Sequence, residues 1–297
     1  MSQSKKVSFL RGKRIRATAV STAGVPLYGA SSVVTTKGVV TLSYTTNVED
    51  GSAISLPNFG GENCINETAT SNFTGYSVEA EFCDVDFSLL SLVTGQQVYV
   101  DDNGLVIGIT ESTDVNLAAV NFALEVWLGS NIPGDYGYVL TPFLTGGTIG
   151  DITVANDAIT FTVTGLQTKN GNGWGKGPYK VEKVLGVDSV LRTAMLANDH
   201  RRTFTTQVAP PAVYAGSTPL LNPTDPALTD ITATVAVKQV TFAPTPSGTT
   251  PIWYDFGDGT WDYAATGGYV KTYATAGTWT VTARRGTSVV TKSVTTT

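Results

Sequence analysis

Three stretches of this 297-residue chain carry side chains whose types and spacing suit chemistry. In residues 252–264, "IWYDFGDGTWDYA", Asp255 and Asp258 flank Gly257. Paired carboxylates of this kind serve acid–base work in glycosidases or hold a calcium ion. No aromatic-lined cleft accompanies them, and turn chemistry outweighs a calcium site: each Asp side chain bonds nearby backbone while Gly259 supplies the special φ. Residues 169–179, "KNGNGWGKGPY", resemble a phosphate loop in composition only. The phosphate loop requires Gly-x-x-x-x-Gly-Lys and then Ser or Thr, but Asn170 stands at the first glycine and Gly177 follows Lys176. The third stretch is His200-Arg201-Arg202. His200 is the sole histidine, and no second His or Gly-x-Ser-x-Gly elbow exists to build a triad or a zinc site. It is expected at the start of a strand or at a subunit contact. Catalytic residues, metal ligands and cofactors are therefore all expected to be none.

The elements that hold these residues read as β. Thr, Val and Gly dominate and Met occurs twice, the mix of half-buried strands joined by tight turns. In "GYSVEAEFC", Tyr76, Val78, Ala80 and Phe82 alternate with Ser77, Glu79 and Glu81, giving a strand with an acidic outer face. Ile159, Phe161 and Val163 alternate with threonines in the same way. "QQVYVDDNGLVIGIT" predicts a hairpin closed at Asp102-Asn103-Gly104, with Asn-Gly in a tight primed turn. "NFALEVWLGS" places Phe122, Leu124, Val126 and Leu128 on one side of another strand. One helix is expected in "DVDFSLLSLVTG", capped by Asp84, with Asp86 in its first turn and a stop at Gly95. A second is expected over Asp188–Ala197. The Gly-rich loop is expected to be long and flexible, with Trp174 anchored against a neighbour and Lys176 beside it as inter-subunit contacts.

Charge is low and uneven. Six of the 19 basic residues and none of the 24 acidic ones lie in residues 1–16, so the remainder carries 13 bases against 24 acids. An acidic body repels nucleic-acid phosphate rather than gripping it. A Thr- and Ser-rich exterior suits a molecule that covers itself with copies of itself. The first 30 residues hold no apolar run of signal-peptide length, and no stretch of about 18 apolar residues offers a membrane span. The expectation is synthesis in a cytoplasm, with Cys64 and Cys83 as free thiols. Five prolines between 210 and 226 mark a break in regular structure. The expected organisation is a first domain over 1–213 with a flexible basic arm at 1–16, a Pro-rich linker over 214–226, and a terminal domain over 218–297 whose start overlaps the linker.

"WYDFGDGT" followed by "VKTYATAGTWTVTARRG" resembles the PKD-type immunoglobulin-like domain. Trp253, Asp255, Asp258, Gly259, Tyr273 and Trp279 match its turn and core positions, with Lys271-Thr272-Tyr273 where the family usually has His-x-Tyr. Residues 1 to about 213 resemble the major tail tube proteins of long, non-contractile-tailed bacteriophages. The likeness lies in the order of a basic start, a strand with a long polar loop, "GYSVEAEFC" running into "DVDFSLLSLVTG", and "GWGKGPY" ahead of "RRTFTTQVAPP". It implies an all-β fold with one or two short helices, a tail-tube β-sandwich or barrel followed by an immunoglobulin-like sandwich. It further implies hexameric rings stacked into a tube, part of the virion tail assembled in the host bacterial cytoplasm, through which genomic DNA passes without specific binding. Tape measure, tail terminator and distal tail proteins are the implied partners, and no catalysis is expected. Within that reading Glu79 and Glu81 face the lumen. Lys5, Lys6, Arg11, Lys13, Arg14, Glu49, Asp50, Asn58 and Phe59 make ring-to-ring contacts through the arm and the loop Asn47–Asn72. Two other readings stay open: a phage head decoration or minor capsid protein, and a secreted carbohydrate-binding or adhesive module.

Overall fold

"RIRATA" sets Ile15 and Ala17 against Arg16 and Thr18, and all four positions are buried. A strand buried on both faces lies inside a sheet that has cover on both sides, and the rest of the first body is built around that condition. The computed structural model describes residues 6–84, 86–150, 160–221, 227–248, 252–264, 268–285 and 288–297. Lys5, Ile159, Pro223 and Pro226 lie outside the described residues. In chain order the elements are β1 (Phe9–Ala19), β2 (Gly29–Thr36), β3 (Val39–Asp50), β4 (Ile54–Pro57), β5 (Asn63–Glu67), β6 (Ser71–Phe82), α1 (Phe87–Thr94), β7 (Gln97–Val100), β8 (Val106–Thr110), β9 (Asn121–Ser130), β10 (Tyr136–Thr145), β11 (Thr148–Ile149), β12 (Phe161–Gln167), β13 (Glu182–Val184), β14 (Val187–Ser189), β15 (Arg202–Thr206) and β16 (Thr218–Leu220). The all-β class expected from composition is what the chain adopts.

A six-stranded antiparallel sheet, ordered β15-β10-β9-β1-β2-β16, is the middle layer. On one side lies a four-stranded sheet, β11-β12-β6-β3, with α1 beside it, and Ile15, Val78, Phe82, Leu90, Leu124 and Val163 fill the space between. On the other side the described residues form no large sheet, only the two-stranded pair β13-β14 within an otherwise irregular cover. Residues 170–196 wrap over the middle sheet and insert Trp174, Val181, Leu191 and Met195 against Trp127, Tyr138 and Leu140. Gly173 allows this wrap, because a Cβ there would lie 2.3 Å from the Ala23 carbonyl oxygen. Phe122, Leu124 and Val126 do share a face, as the spacing predicts; the opposite face, Ala123, Glu125 and Trp127, is equally buried.

Arg16 and Glu125 are direct cross-strand partners between β1 and β9. The guanidinium donates from Nε and Nη2 to the two carboxylate oxygens at 2.6 and 2.7 Å, and Tyr138 Oη donates to the same carboxylate at 2.5 Å. The Tyr179 ring lies 3.2 Å under the guanidinium carbon, and its hydroxyl is 2.9 Å from Thr18 Oγ1. Burial alone would lower the arginine pKa, but the adjacent carboxylate outweighs it and the value is raised. Burial, with Glu125 beside it, pushes the Tyr138 hydroxyl well above its ordinary value. The arginine is thereby held in its charged form at neutral pH.

Several expectations change here. Residues 9–16 are not a flexible arm: they form most of the central strand β1, because the apolar-polar alternation of Ile15–Ala19 and the Arg16 pair outweigh the solvation of a basic run. The cap of α1 is Asp86, whose carboxylate accepts from Ser88 N–H at 2.9 Å, rather than Asp84. Leu89, Leu90 and Val93 of α1 are buried, each worth about 1.5–3 kcal/mol. No helix forms over Asp188–Ala197. Val187–Ser189 pairs with β13, and the Leu191 and Met195 amides bond the Lys176 and Gly175 carbonyls of the Gly-rich segment. The β7–β8 turn is not primed: Gly104 alone has positive φ, its N–H bonds the Asp101 carbonyl, and Asp101 Oδ1 accepts from the Asn103 and Leu105 amides. This is a three-residue loop with a glycine bulge. The first body also extends past 213, since Thr218–Leu220 pairs with β2 as an edge strand, where Pro219 costs no ladder bond. Between them Gly216 N–H bonds Asp86 Oδ2 at 2.9 Å, so this segment is docked rather than merely linking.

The second body contains β17 (Asp230–Ala236), β18 (Gln239–Thr245), β19 (Ile252–Asp255), β20 (Trp261–Ala264), β21 (Tyr269–Thr272), β22 (Gly277–Arg285) and β23 (Ser288–Thr296). Sheets β17-β18-β21 and β20-β19-β22-β23 enclose their own core, centred on Phe242, Tyr254, Phe256 and Val281. It is a two-sheet antiparallel sandwich.

Replacing Glu125 with Ala leaves Arg16 buried and unpaired. Urea denaturation should show the first body's transition destabilised by about 3–5 kcal/mol. The double change Arg16→Leu/Glu125→Leu should cost far less, and equal losses in the two variants would contradict the account.

Candidate assembly surfaces

The paired strands β3 and β6 run past the core. Their ladder extends from Val39↔Phe82 to Asp50↔Ser71, and β4 and β5 continue it from Ile54↔Glu67 through Leu56↔Ile65. A turn closes the end, where Asn58 N–H bonds the Glu62 carbonyl and Asn58 Oδ1 accepts from the Glu62 amide at 2.8 Å. Every residue from 48 to 74 is exposed. The expected polar loop Asn47–Asn72 is thus a two-stranded arm, because Ile54, Leu56 and Ile65 alternate with polar neighbours and pair. Glu49 and Asp50 lie at its base and Asn58 and Phe59 at its tip, with the Phe59 side chain wholly in solvent. A lone two-stranded ribbon is marginal in water, and this one bares Ile54, Leu56, Phe59 and Ile65.

The root of the arm is braced by a cluster whose members lie far apart in sequence. Arg201 lies over the rings of Tyr76 and Tyr44, 4.3 and 5.0 Å from their centroids. Phe73 stands edge-on to Tyr76 and to the His200 ring, with centroids 5.0 and 5.3 Å away. His200 Nδ1 is 2.8 Å from Thr168 Oγ1, which accepts from the Tyr76 amide. Burial lowers the His200 pKa, against the opposing pull of Asp199. The only available sequence signal was the aromatic pair at Tyr44 and Tyr76, which cross-strand register brings within 6.0 Å.

Glu79 and Glu81 project from the outer face of β6, away from the buried Val78, Ala80 and Phe82. They share a shallow cleft of about 150 Å³ with Thr41, Ser43 and Thr162, and no base lines it. The cleft presents acids and hydroxyls only.

Of the basic residues, Lys6, Arg11 and Lys13 are exposed, whereas Arg14 is half-buried and donates from Nε to the Pro211 carbonyl at 3.3 Å. Arg11, Lys13, Arg14 and Lys37 rim a groove of about 330 Å³ whose floor is Ile15, Val39, Leu42, Val126 and Leu128. Trp174 is not available to a neighbour: it is buried in its own chain, because the Gly-rich segment folds back over the middle sheet. Lys176 remains exposed.

In the second body Asp255 Oδ1 accepts from Gly257 N–H and Asp258 Oδ1 from Thr260 N–H, both at 3.0 Å. Gly259 has φ 85°, and Lys271 Nζ reaches Asp258 Oδ2 at 3.0 Å. Burial alone would raise the Asp258 pKa, but hydrogen bonds from Thr260 and Lys271 outweigh it and hold the carboxyl below its ordinary value. Tyr273 Oη donates to the Phe256 carbonyl at 3.1 Å and its ring stacks on Trp279 at 5.0 Å, while Trp253 carries the Arg284 guanidinium at 5.2 Å. No group of three or more His, Cys, Asp or Glu side chains suited to a metal ion occurs among the described residues, and none of their helices is long and apolar enough to cross a membrane. Compared with protein-family profiles and with curated proteins, the chain matches none.

If Arg201 braces the arm, Arg201→Ala should loosen it by about 1 kcal/mol. Limited proteolysis should then cut within 48–74 several-fold faster, with the rate of cutting elsewhere unchanged; uniform acceleration along the chain would contradict this.

Proposed function

We propose that this chain is a non-catalytic building block, the major tube subunit of a long, non-contractile phage tail. The observation that carries the reading is the arm: twenty-seven consecutive exposed residues, from 48 to 74, that pair with each other, bare apolar side chains and, beyond Phe73 at the root, meet no cover among the described residues of their own chain. A second copy is the simplest cover for such a surface. Two further features support it. The outer face of β6 carries Glu79 and Glu81 without a base, which suits a lumen that DNA slides along without sticking. The six-stranded sheet ends at β15 and β16 and the four-stranded sheet at β11 and β3, and closing such edges against neighbours removes an aggregation hazard. Six-fold rings follow from the tail-tube resemblance and not from the geometry. The terminal sandwich decorates the outside of the tube in this reading, and the tape measure, terminator and distal tail proteins are the partners of the assembled tail.

Negative-stain microscopy of purified protein should show rings that stack into tubes; isolated monomers at high concentration would overturn the proposal. Because β16 belongs to the first body, the informative truncation falls after Leu221. The truncated chain should still form tubes, thinner in outline, and loss of assembly would refute the decorative role of the sandwich.

A further inference from the structure

We infer that the basic groove at the Val39 end of β3 is the receptor for the arm of a second copy, and that the contact joins copies head to tail. The inference rests on the self-assembly reading above and adds to it the partner surface and the polarity.

The two surfaces match in charge. Residues 47–74 contain Glu49, Asp50, Glu62 and Glu67 and no Lys or Arg. The groove is rimmed by Arg11, Lys13, Arg14 and Lys37 and no acid lines it. Among the described residues, Arg11, Lys13 and Lys37 make no ion pair within their own chain. The acids of the arm make none either, and their hydrogen bonds go to Asn58 and Ser71 of the arm itself. Each side therefore presents charge that its own fold does not neutralise.

They also match in apolar character. The floor of the groove exposes the end of the core between the two sheets, where Val40 is 53 % exposed and Leu42 and Leu128 are half-buried. Ile54, Leu56 and Ile65 of the arm are about half exposed on a ribbon two strands wide. An apolar floor with a cationic rim fits an apolar ribbon with acidic flanks, and the charges set orientation and register.

Position supplies the polarity. Val39 and Asp50 are opposite ends of one twelve-residue strand, so groove and arm lie at opposite ends of the same ladder, about 35 Å apart at 3.3 Å per residue. A copy whose arm fills a neighbour's groove still has its own groove empty. Such a heterologous contact does not close on itself in a pair; it propagates along the strand direction. The basic residues of β1 thus act as a fixed socket on a central strand, not as a reaching arm.

The test is charge reversal with rescue. Lys13→Glu/Lys37→Glu and, separately, Glu49→Lys/Asp50→Lys should each reduce pelletable polymer on the order of tenfold, and combining the two should restore it. Thermal melts of each variant confirm folding. A second readout uses the native chain: carbodiimide coupling of mixed isotope-labelled and unlabelled protein should yield intermolecular peptides joining Lys13 or Lys37 to an acid of the arm. Tubes that form without those cross-links, or reversals without effect or rescue, overturn the groove while leaving the tube reading intact. Cross-links without tubes sustain the head-to-tail contact and overturn the tube reading. Absence of both overturns both.

Discussion

The first body depends on one buried ion pair. Arg16 and Glu125 sit opposite each other in the β1–β9 register, both almost fully removed from water. Stripping water from two such ions costs several kcal/mol each, and only good geometry offsets it. Here the offset comes from two nitrogen–oxygen bonds, the Tyr138 hydroxyl and the flat contact of the guanidinium with the Tyr179 ring. A slip of one residue would bury both charges without partners and turn Ile15 and Ala17 away from the core. The pair therefore acts as a register lock on a strand whose small and β-branched residues would otherwise slide cheaply.

That lock fixes what lies at either end of the sheet. With β1 pinned at Arg16, its preceding residues pass two register shifts between Phe9 and Arg14 and hold Arg11 and Lys13 along the mouth of the groove. A sheet buried on both faces also needs a second cover, and the chain supplies it with segment 170–196, irregular except for the short pair β13-β14. Trp174 and Leu191 bury their side chains there, while backbone amides find carbonyls within the segment. The two sheets share a core only as far as the aromatic cluster at Tyr44 and Tyr76. Beyond it β3 and β6 have no partner layer among the described residues, and the arm begins where the core runs out.

The sequence made much of this legible wherever one face alone is buried. The alternation in "GYSVEAEFC" placed Val78, Ala80 and Phe82 inside and Glu79 and Glu81 outside. It failed where both faces are buried, as in β1 and β9, because a polar residue there no longer marks a solvated face, so the basic run at 1–16 read as solvated although Arg16 is in the core. It failed again at Asp188–Ala197, where Leu191 and Met195 have helical spacing but their amides are captured by Gly175 and Lys176, residues more than ten positions away. Neither capture leaves a local signal. The clustering of Arg201, His200, Phe73 and Thr168 is likewise a product of tertiary register.

The bracing of the arm at its root bears on how it can bind. A ribbon that is ordered only on docking must surrender its backbone freedom at that moment, roughly 1–2 kcal/mol for each residue fixed, which would consume much of what a few apolar side chains provide. Paired along its length and held at Tyr76 by Arg201 and Phe73, this arm meets part of that cost during folding. The surplus left for association is correspondingly larger, as for any preorganised binding element. Four exposed acids then govern approach more than final affinity, since pairs at a solvated rim are screened over about 8 Å at physiological salt. In the proposed head-to-tail contact the apolar strip would supply the holding energy and the charges the direction, the division of labour that a subunit adding repeatedly to one growing end requires.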